Sequence, residues 1–342
     1  MALDVRASTG SGPLVTVIVP VRDESGTVGE ALESLARQTI GAEAIEVLVY
    51  DGGSSDATVV VCRSFSPRYP WARFAVLENP GLTVPYALNA GLAESRSEWF
   101  AVLAGRTVLS DNYLEACLAE LAGAGADQPT GVGGRFVANA DGAVAQSIAA
   151  AVTHPLGVGR GFRTETEATD LPHHPFAVWR REDVVRLGGF DVSLTRNQDD
   201  EFSMRAIRRG ARIRLAPAAE ISYRPRERYR GLAAQYFQYG LWKSAVAHRH
   251  RLFPKRSALP AAVTASVPAA VAFALRGRPV PLLMLVGGYA LGGAIVARRR
   301  SANPALAGVA LGLVHLAYGA GVIAGAVRPS LAGGALGQTR IR

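Results

Sequence analysis

The chain has 342 residues and a formal net charge of +9. This length suffices for one sizeable domain with an appendage, and the two cysteines are too few for a disulfide framework or a cysteine-based metal site. The charge is uneven: residues 1–222 hold 20 basic and 27 acidic residues, whereas residues 258–342 hold eight arginines and no acid. The basic surplus therefore belongs to the C-terminal part, where it indicates an anionic membrane surface rather than nucleic acid.

Residues 1–13 are polar and predict a disordered N-terminus without the apolar core of a signal peptide. We therefore expect the domain that follows, over residues 14–222, to stay in the cytoplasm.

That domain opens on a strand–helix–strand pattern. The β-branched runs Val15–Val19 and Val47–Tyr50 each end at a polar turn, and apolar residues at helical spacing occupy Thr27–Gln38 between them. Such runs are typical of buried parallel strands joined by a right-handed crossover, whose ligands bind beyond the carboxyl ends of the strands. The turns at residues 22–24 and 51–56 lie there. The absence of a G-x-G-x-x-G or P-loop motif argues against a dinucleotide or P-loop site.

Alternating strands and helices continue along the chain and predict an α/β fold with a doubly wound, mostly parallel sheet. The alternating elements are predicted at Thr58–Ser66, Phe74–Leu77, Tyr86–Ala93, Glu98–Leu103 and Gly131–Val137. Residues 139–170 have only a weak pattern and are predicted as a loop, either on the acceptor side or as an ordinary connection. His173-His174 are candidate ligands or donor contacts, although a histidine pair without a third ligand seldom binds metal.

The motifs Val19-Pro-Val-Arg-Asp-Glu24 and Asp51-Gly-Gly-Ser-Ser-Asp56 resemble the opening of inverting family-2 glycosyltransferases. The resemblance implies a GT-A (nucleotide-diphospho-sugar transferase) fold that binds a nucleotide sugar through both motifs. An asparagine in Leu88-Asn-Ala-Gly91 fits the same family. The implied nucleotide-sugar-binding residues are Pro20, Arg22, Glu24, Asp51, Gly52, Ser54, Asp56, Asn89 and Arg106.

The segment after the fourth strand departs from that family. There the family places a D-x-D motif, or a single aspartate, that binds the metal holding the diphosphate, whereas this chain has Ala104-Gly105-Arg106. The Mg²⁺ or Mn²⁺ that the resemblance implies therefore lacks its usual aspartate, and we assign no metal ligand. Arg106 instead offers a cation for partial neutralisation of a diphosphate.

The segment Asn197-Gln-Asp-Asp-Glu-Phe-Ser-Met-Arg205 resembles the one that supplies the general base in this family. Alignment on Phe202 and Arg205 puts Asp199 at the base position, with Asp200 as the alternative. An inverting transfer needs such a carboxylate to take the proton of the acceptor hydroxyl. The bland interpretation is a solvated acidic helix start that the helix dipole stabilises.

Residues 223–257 are basic and rich in Tyr and Trp, and they resemble most closely the succinoglycan-biosynthesis (ExoA-like) group of these transferases. A helix with this composition is typical of a membrane interface. Gln235 and Trp242 are candidate acceptor contacts on it, and a plain docking helix is the alternative.

Three apolar runs follow in residues 258–330, each about long enough to span a bilayer, before a tail at residues 331–342. Basic stretches flank them at residues 243–256 and 298–300, and both satisfy the positive-inside rule if cytoplasmic. This predicts a multi-pass protein of the inner (plasma) membrane. The runs are Ala258–Leu275, Val280–Ala297 and Ala305–Val327.

The leading hypothesis is a membrane-anchored glycosyltransferase of exopolysaccharide or cell-envelope glycan synthesis. It moves a sugar, with inversion, from a nucleotide-diphosphate sugar (a UDP-sugar is favoured) to a lipid-linked oligosaccharide or polysaccharide acceptor. One alternative is a catalytically silent nucleotide-sugar-binding protein of the same fold, since the D-x-D site is missing. Another is a membrane scaffold whose globular part docks partners.

Overall fold

The computed structural model describes residues 12–123, 128–251, 255–300 and 302–332. The predicted disordered start at residues 1–13 and the tail at residues 331–342 lie almost wholly outside the described residues. The chain divides into two compact units, the first formed by Met1–Val137 with Glu165–Tyr223 and the second by Ala138–Thr164 with Arg224–Arg342.

The described elements alternate as expected in the first hundred residues and then become irregular. The strands are β1 (Val15–Val21), β2 (Ile45–Asp51), β3 (Arg73–Glu78), β4 (Trp99–Val102), β5 (Thr107–Leu109), β6 (Gly131–Ala138), β7 (Asp170–Leu171), β8 (Val178–Arg180) and β9 (Ile213–Tyr223). The helices are α1 (Val28–Ala36), α2 (Thr58–Arg63), α3 (Val84–Glu94), α4 (Tyr113–Leu121), α5 (Ala143–Val152), α6 (Pro155–Val158), α7 (Arg181–Arg186), α8 (Gln198–Arg208), α9 (Tyr229–His250), α10 (Lys255–Leu275), α11 (Val280–Arg298) and α12 (Pro304–Val327).

Among the described residues, the nine strands of the first unit form one sheet in the order β3-β2-β1-β4-β8-β6-β9-β5, with β7 paired to β9. Strands β3, β2, β1 and β4 are parallel to one another, which confirms the predicted strand–helix–strand unit. Every residue of β1 except Pro20 is buried, as expected of a strand covered on both faces.

The other half of the sheet is antiparallel, which differs from the mostly parallel sheet that we expected. Strand β8 runs antiparallel to both β4 and β6, and β9 runs antiparallel to β5 and β7. Parallel neighbours need a crossover of a dozen or more residues, usually a helix. The regular β–α alternation that supplies such crossovers stops after β4, where only four residues separate β4 from β5.

The second unit contains a helix where we predicted a loop. Residues 139–170 include α5 and the short α6, and seven of the ten residues of α5 are buried. The sequence of α5 is alanine-rich, which favours a helix, but it is apolar nearly all round and so lacks the amphipathic period that identifies one. It packs in a buried cluster with Leu232 of α9 and Leu311 of α12.

Helix α9 lies along α12 rather than standing apart from the apolar helices. The Tyr229 hydroxyl donates to Leu306 O at 2.9 Å, and Ser244 Oγ donates to Val322 O at 2.9 Å, so the two helices run side by side. A Cβ on Gly321 would overlap Phe237 O, which shows how closely the backbones approach. An interfacial helix lies in the headgroup plane, across a spanning helix. Small residues on α12 permit the close parallel packing of α9, and the interfacial position of α9 stays a prediction.

Three described helices of the second unit are long and apolar enough to cross a membrane: Ser257–Leu275, Val280–Arg298 and Pro304–Val327. Their bounds agree with the three predicted apolar runs to within one residue. They differ in burial, since the first is almost wholly exposed whereas the third is packed against α5, α9, α10 and α11.

Candidate active site

The site is built where β1 and β2 end. These strands pair in register up to Val21 and Asp51, and the Gly52 N–H donates to Val21 O at 2.8 Å just beyond them. The two polar turns that follow therefore begin side by side at the carboxyl edge of the sheet. This is the edge at which parallel α/β sheets bind ligands.

Hydrogen bonds lock the two turns together. Asp23 adopts a left-handed backbone conformation with φ of 51°. Its carboxylate accepts from the Ser55 N–H at 2.7 Å, while its own N–H donates to Ser54 Oγ at 2.9 Å. Aspartate tolerates this conformation because its short side chain bonds locally. Of the residues that we assigned to nucleotide binding, those at positions 22–24 and 51–56 thus belong to one hydrogen-bonded pair of turns.

Two further carboxylates organise the second turn. Asp51 accepts from the N–H groups of Gly53 at 3.2 Å and Ser54 at 3.0 Å. Asp56 accepts from the Thr58 N–H at 2.9 Å and from the Thr58 hydroxyl. That hydroxyl is the main reason that the pKa of Asp56 lies well below its usual value. Both aspartates are therefore held in fixed orientations next to the strand ends.

Arg106 reaches back from the turn after β4 to Glu24. Its Nε and Nη2 atoms donate to Glu24 Oε1 at 3.1 and 3.0 Å. The other oxygen, Oε2, is buried and has no hydrogen-bond partner among the described residues. Burial raises the pKa of Glu24, and the Arg106 charge opposes that rise. The sequence distance of 82 residues explains why sequence reasoning did not find this ion pair.

The segment after β4 does not fit a divalent metal. Ala104 and Gly105 carry no ligating side-chain atom, and Arg106 brings a permanent positive charge that repels a cation. Mg²⁺ and Mn²⁺ prefer carboxylate, carbonyl and water oxygens. Across the described part of the chain, no group of three or more His, Cys, Asp or Glu side chains is arranged to hold a metal ion.

Asp199 lies at the same edge of the sheet. Strand β8 runs antiparallel to β4, so the residues that precede β8 lie beyond the carboxyl end of β4. His173 is one of them, and its Nε2 is 3.4 Å from Asp199 Oδ2. The Asp199 side chain is 30% exposed, which leaves the carboxylate accessible to solvent. Asp200 follows it in the first turn of α8.

The helix that carries Asp199 is fixed by its own buried ion pair. The Glu201 carboxylate is buried and accepts two bonds at 3.0 Å from the guanidinium of Arg205. Arg205 also donates to Gly189 O at 2.7 Å, in a turn where Gly188 and Gly189 have φ of 85° and 64°. Glycine is the residue that adopts such angles without cost. The turn and the start of α8 are thus tied together.

The two adjacent histidines have different environments. His174 is buried, its Nε2 lies 2.8 Å from Gly134 O, and its Nδ1 accepts from the Phe176 N–H at 3.2 Å. Burial lowers the pKa of His174 to about 3, so the ring is neutral. His174 thus holds the chain between β7 and β8 in place, whereas His173 faces Asp199. Sequence reasoning singled out the pair but not the partner of His173.

The structure also places the other predicted residues, whose roles stay predictions. Asn89 bonds the backbone of Phe190 twice, since its amide donates to Phe190 O at 2.7 Å and its oxygen accepts from Phe190 N–H at 2.8 Å. Pro20 lies within β1, and Arg22 is exposed after it. Gln235 and Trp242 are buried in the second unit.

Comparisons with known proteins identify the relatives of this chain. The profile of the family described as Glycosyl transferase family 2 matches residues 16–187, about half of the chain. The chain is 28% identical over 328 residues to the "Succinoglycan biosynthesis protein ExoA" of Rhizobium meliloti, which covers 94% of this chain and 96% of that protein. It is 20% identical over 242 residues to the "Dolichyl N-acetyl-alpha-D-glucosaminyl phosphate 3-beta-D-2,3-diacetamido-2,3-dideoxy-beta-D-glucuronosyltransferase" of Methanococcus voltae, which covers 69% of this chain and 74% of that one.

A solved structure has the same fold. The mannosyltransferase PcManGT from Pyrobaculum calidifontis, in complex with GDP-Man and Mn²⁺, matches with a TM-score of 0.63 at 20% identity, over 93% of this chain and 88% of that one. This similarity confirms the predicted GT-A fold. The family match further identifies the protein as an enzyme, and the chain belongs to glycosyl transferase family 2.

Proposed function

We propose that this glycosyltransferase moves a sugar, with inversion, from a nucleotide-diphosphate sugar to a lipid-linked oligosaccharide or polysaccharide acceptor. One observation carries the proposal: a locked pair of acidic turns and a separate accessible carboxylate, Asp199, occupy the same edge of the sheet. A transferase needs these two functions together, one to hold the donor and one to activate the acceptor.

The donor side is formed by the turns after β1 and β2. Asp51 is fixed by N–H groups of its own turn and presents its carboxylate to the base or ribose of the nucleotide. Gly52 lets the turn pack closely against neighbouring backbone, since a Cβ there would lie 3.2 Å from Leu82 O. Ser54 and Asp56 complete the wall. A UDP-sugar is the favoured donor.

The acceptor side is formed by Asp199. In a single displacement the acceptor oxygen attacks the anomeric carbon, the bond from that carbon to the diphosphate oxygen breaks, and the configuration inverts. Asp199 takes the proton of the acceptor hydroxyl, and the negative charge leaves on the nucleoside diphosphate. Asp200, its neighbour in the first turn of α8, places a second carboxylate beside the base.

The second unit anchors the enzyme in the plasma membrane as a multi-pass protein, with the catalytic unit in the cytoplasm. Three helices of sufficient length and apolar composition support this proposal. The basic stretches at residues 243–256 and 298–300 are then cytoplasmic, as the positive-inside rule requires. Lipid-linked acceptors are presented at that membrane face.

The decisive experiment is a donor panel with the full-length protein in native membranes. UDP-, GDP- and dTDP-sugars are offered with lipid-linked acceptors, and transfer is followed by the mobility of the labelled lipid product. We expect transfer from one nucleotide class. Retained nucleotide binding without transfer from any donor would favour the silent-binding alternative, and release of the protein by a carbonate wash would contradict the membrane anchor.

A further inference from the structure

We propose that Arg106 takes the place of the divalent metal, so that this enzyme binds the diphosphate of its donor without one. The inference rests on the proposed donor site and names the cation of that site. It starts from the chemistry of Ala104-Gly105-Arg106, which offers no metal ligand but does offer a guanidinium. A guanidinium stays charged at any physiological pH and matches phosphate oxygens with paired N–H donors.

The position of this guanidinium is built into the fold. Arg106 lies in the four-residue turn between β4 and β5, next to the carboxyl end of β1, because Leu103 N–H donates to Ile18 O at 2.9 Å. Glu24, at the other side of that edge, accepts both of its bonds. The cation is therefore held beside the turns that we assign to the nucleotide.

The ion pair between Arg106 and Glu24 depends on the absence of a side chain at Gly105. The buried oxygen of Glu24 lies against Gly105, where a Cβ would overlap Oε2 and would lie 3.2 Å from Val21 Cγ1. Any larger residue would push the carboxylate, and with it the guanidinium, away from the edge. The glycine at position 105 thus serves the ion pair.

The guanidinium keeps capacity for a ligand. Its hydrogen bonds to described residues use the Nε and one Nη2 donor, whereas the group has five N–H bonds. Its side chain is 45% exposed, in contrast to 13% for Glu24. The remaining N–H groups therefore belong to the more exposed member of the pair. A diphosphate there meets a positive charge that needs no metal.

The test is calorimetric binding of UDP and GDP to the full-length protein in detergent, once with excess EDTA and once with millimolar Mg²⁺ or Mn²⁺. We expect the affinity of the preferred nucleotide to agree within about twofold between the two conditions. Arg106→Ala should weaken that binding at least about tenfold, the weight of one charge-assisted bond. Arg37→Ala is the matched control, because Arg37 is also half exposed and pairs with one carboxylate, Asp111, at 3.1 Å.

A double substitution, Ala104→Asp with Arg106→Asp, should convert the protein to metal-dependent binding, because it installs two carboxylates in the same turn. If this variant binds the nucleotide with the same affinity in EDTA as in Mg²⁺ or Mn²⁺, the assignment of the turn to the diphosphate is overturned. Wild-type binding that is lost in EDTA and restored by Mn²⁺ would overturn the inference but keep the proposed function. Absence of binding under every condition, in a folded protein, would overturn both.

Discussion

The two ends of the central parallel strands carry very different polar clusters. At the amino end, Glu46 is fully buried, and it accepts bonds from Thr16 Oγ1 at 2.5 Å, Arg73 Nη1 at 2.9 Å and Arg96 N–H at 3.0 Å. At the carboxyl end, Glu24 leaves one buried oxygen without a hydrogen bond to a described residue. Both oxygens of Glu46 thus have hydrogen-bond partners within the protein, and we call this amino end the closed end. We call the carboxyl end, where one oxygen of Glu24 has no partner among the described residues, the open end.

The difference separates a structural role from a functional one. A buried charge that is fully hydrogen-bonded is compensated and contributes to the fold. A guanidinium that remains half exposed at a strand end, as that of Arg106 does, has unused N–H donors for a ligand. We therefore expect mutations at the amino end to lower stability without altering binding, and mutations at the carboxyl end to do the reverse.

The largest effect should come from Asp199 at the open end. Asp199→Asn keeps the shape of the side chain but cannot accept the acceptor proton, so transfer should fall by roughly 10²–10⁴-fold, the usual weight of general base catalysis. The measurement is the initial rate with saturating donor and acceptor, alongside calorimetric nucleotide binding that should stay nearly unchanged.

The matched control for this variant is its neighbour. Asp200→Asn removes a carboxylate from the same helical turn and should reduce transfer only a few-fold through the local field. A dead Asp200→Asn enzyme with an active Asp199→Asn enzyme would shift the base by one residue.

The second largest effect belongs to the closed end. Glu46→Ala removes one partner of a buried ion pair, a change that typically costs about 3–5 kcal/mol of stability. Glu94 also bonds Arg73 and compensates part of its charge, so we expect a value at the lower end of that range. Thermal unfolding of the full-length protein in detergent checks this. The nucleotide affinity of the fraction that remains folded should equal that of wild type, and a tenfold loss of affinity would break the distinction between the two ends.

Asp51→Ala should have the opposite effect to Glu46→Ala, with a loss of nucleotide binding and little loss of stability. We expect nucleotide binding to weaken more than tenfold, or about 1.4 kcal/mol, because the carboxylate contacts the nucleotide directly in our proposal. The unfolding midpoint should change little, since this residue is half-buried and the substitution removes only side-chain bonds within its own turn. Unchanged calorimetric affinity in a folded variant would remove Asp51 from the donor site.

The sequence predicts what depends on local patterns. The β1–α1–β2 unit and the turn after β2 follow from apolar period and turn residues within about forty positions of one another, and the structure confirms that unit. The three apolar helices were predicted for the same reason. Helix α5 was missed because a segment that is buried nearly all round has no amphipathic period.

Long-range pairings were beyond sequence reasoning. Asn89 matches a family motif, yet it bonds Phe190, 101 residues further along. The Glu24–Arg106 pair spans 82 residues, and the proximity of His173 to Asp199 depends on the antiparallel entry of β8. Such contacts are fixed by the order of strands in the sheet, and no local pattern encodes that order.

The smallest expected effect is the pH dependence of stability that His174 causes. His174 lies near the open end, but both of its ring nitrogens have backbone partners, Gly134 O and Phe176 N–H. Its pKa is lowered from 6.5 to about 3 in the folded protein by burial, so between these values the unfolded chain binds a proton that the folded protein does not. The contribution of the neutral His174 ring to the free energy of unfolding is therefore fully present above about pH 6.5. It is lost as the pH falls, by at most about 1.4 kcal/mol per pH unit.

The measurement is the unfolding midpoint of the full-length protein in detergent from pH 7.5 down to pH 5. His174→Gln, which has no titrating ring, should have a lower midpoint at pH 7.5 but a shallower decline as the pH falls. His173→Gln is the matched control, since it changes the adjacent residue and leaves the buried ring in place. An equally steep decline for His174→Gln and wild type would show that other groups dominate acid sensitivity, and that His174 does not bear the charge penalty that its burial implies.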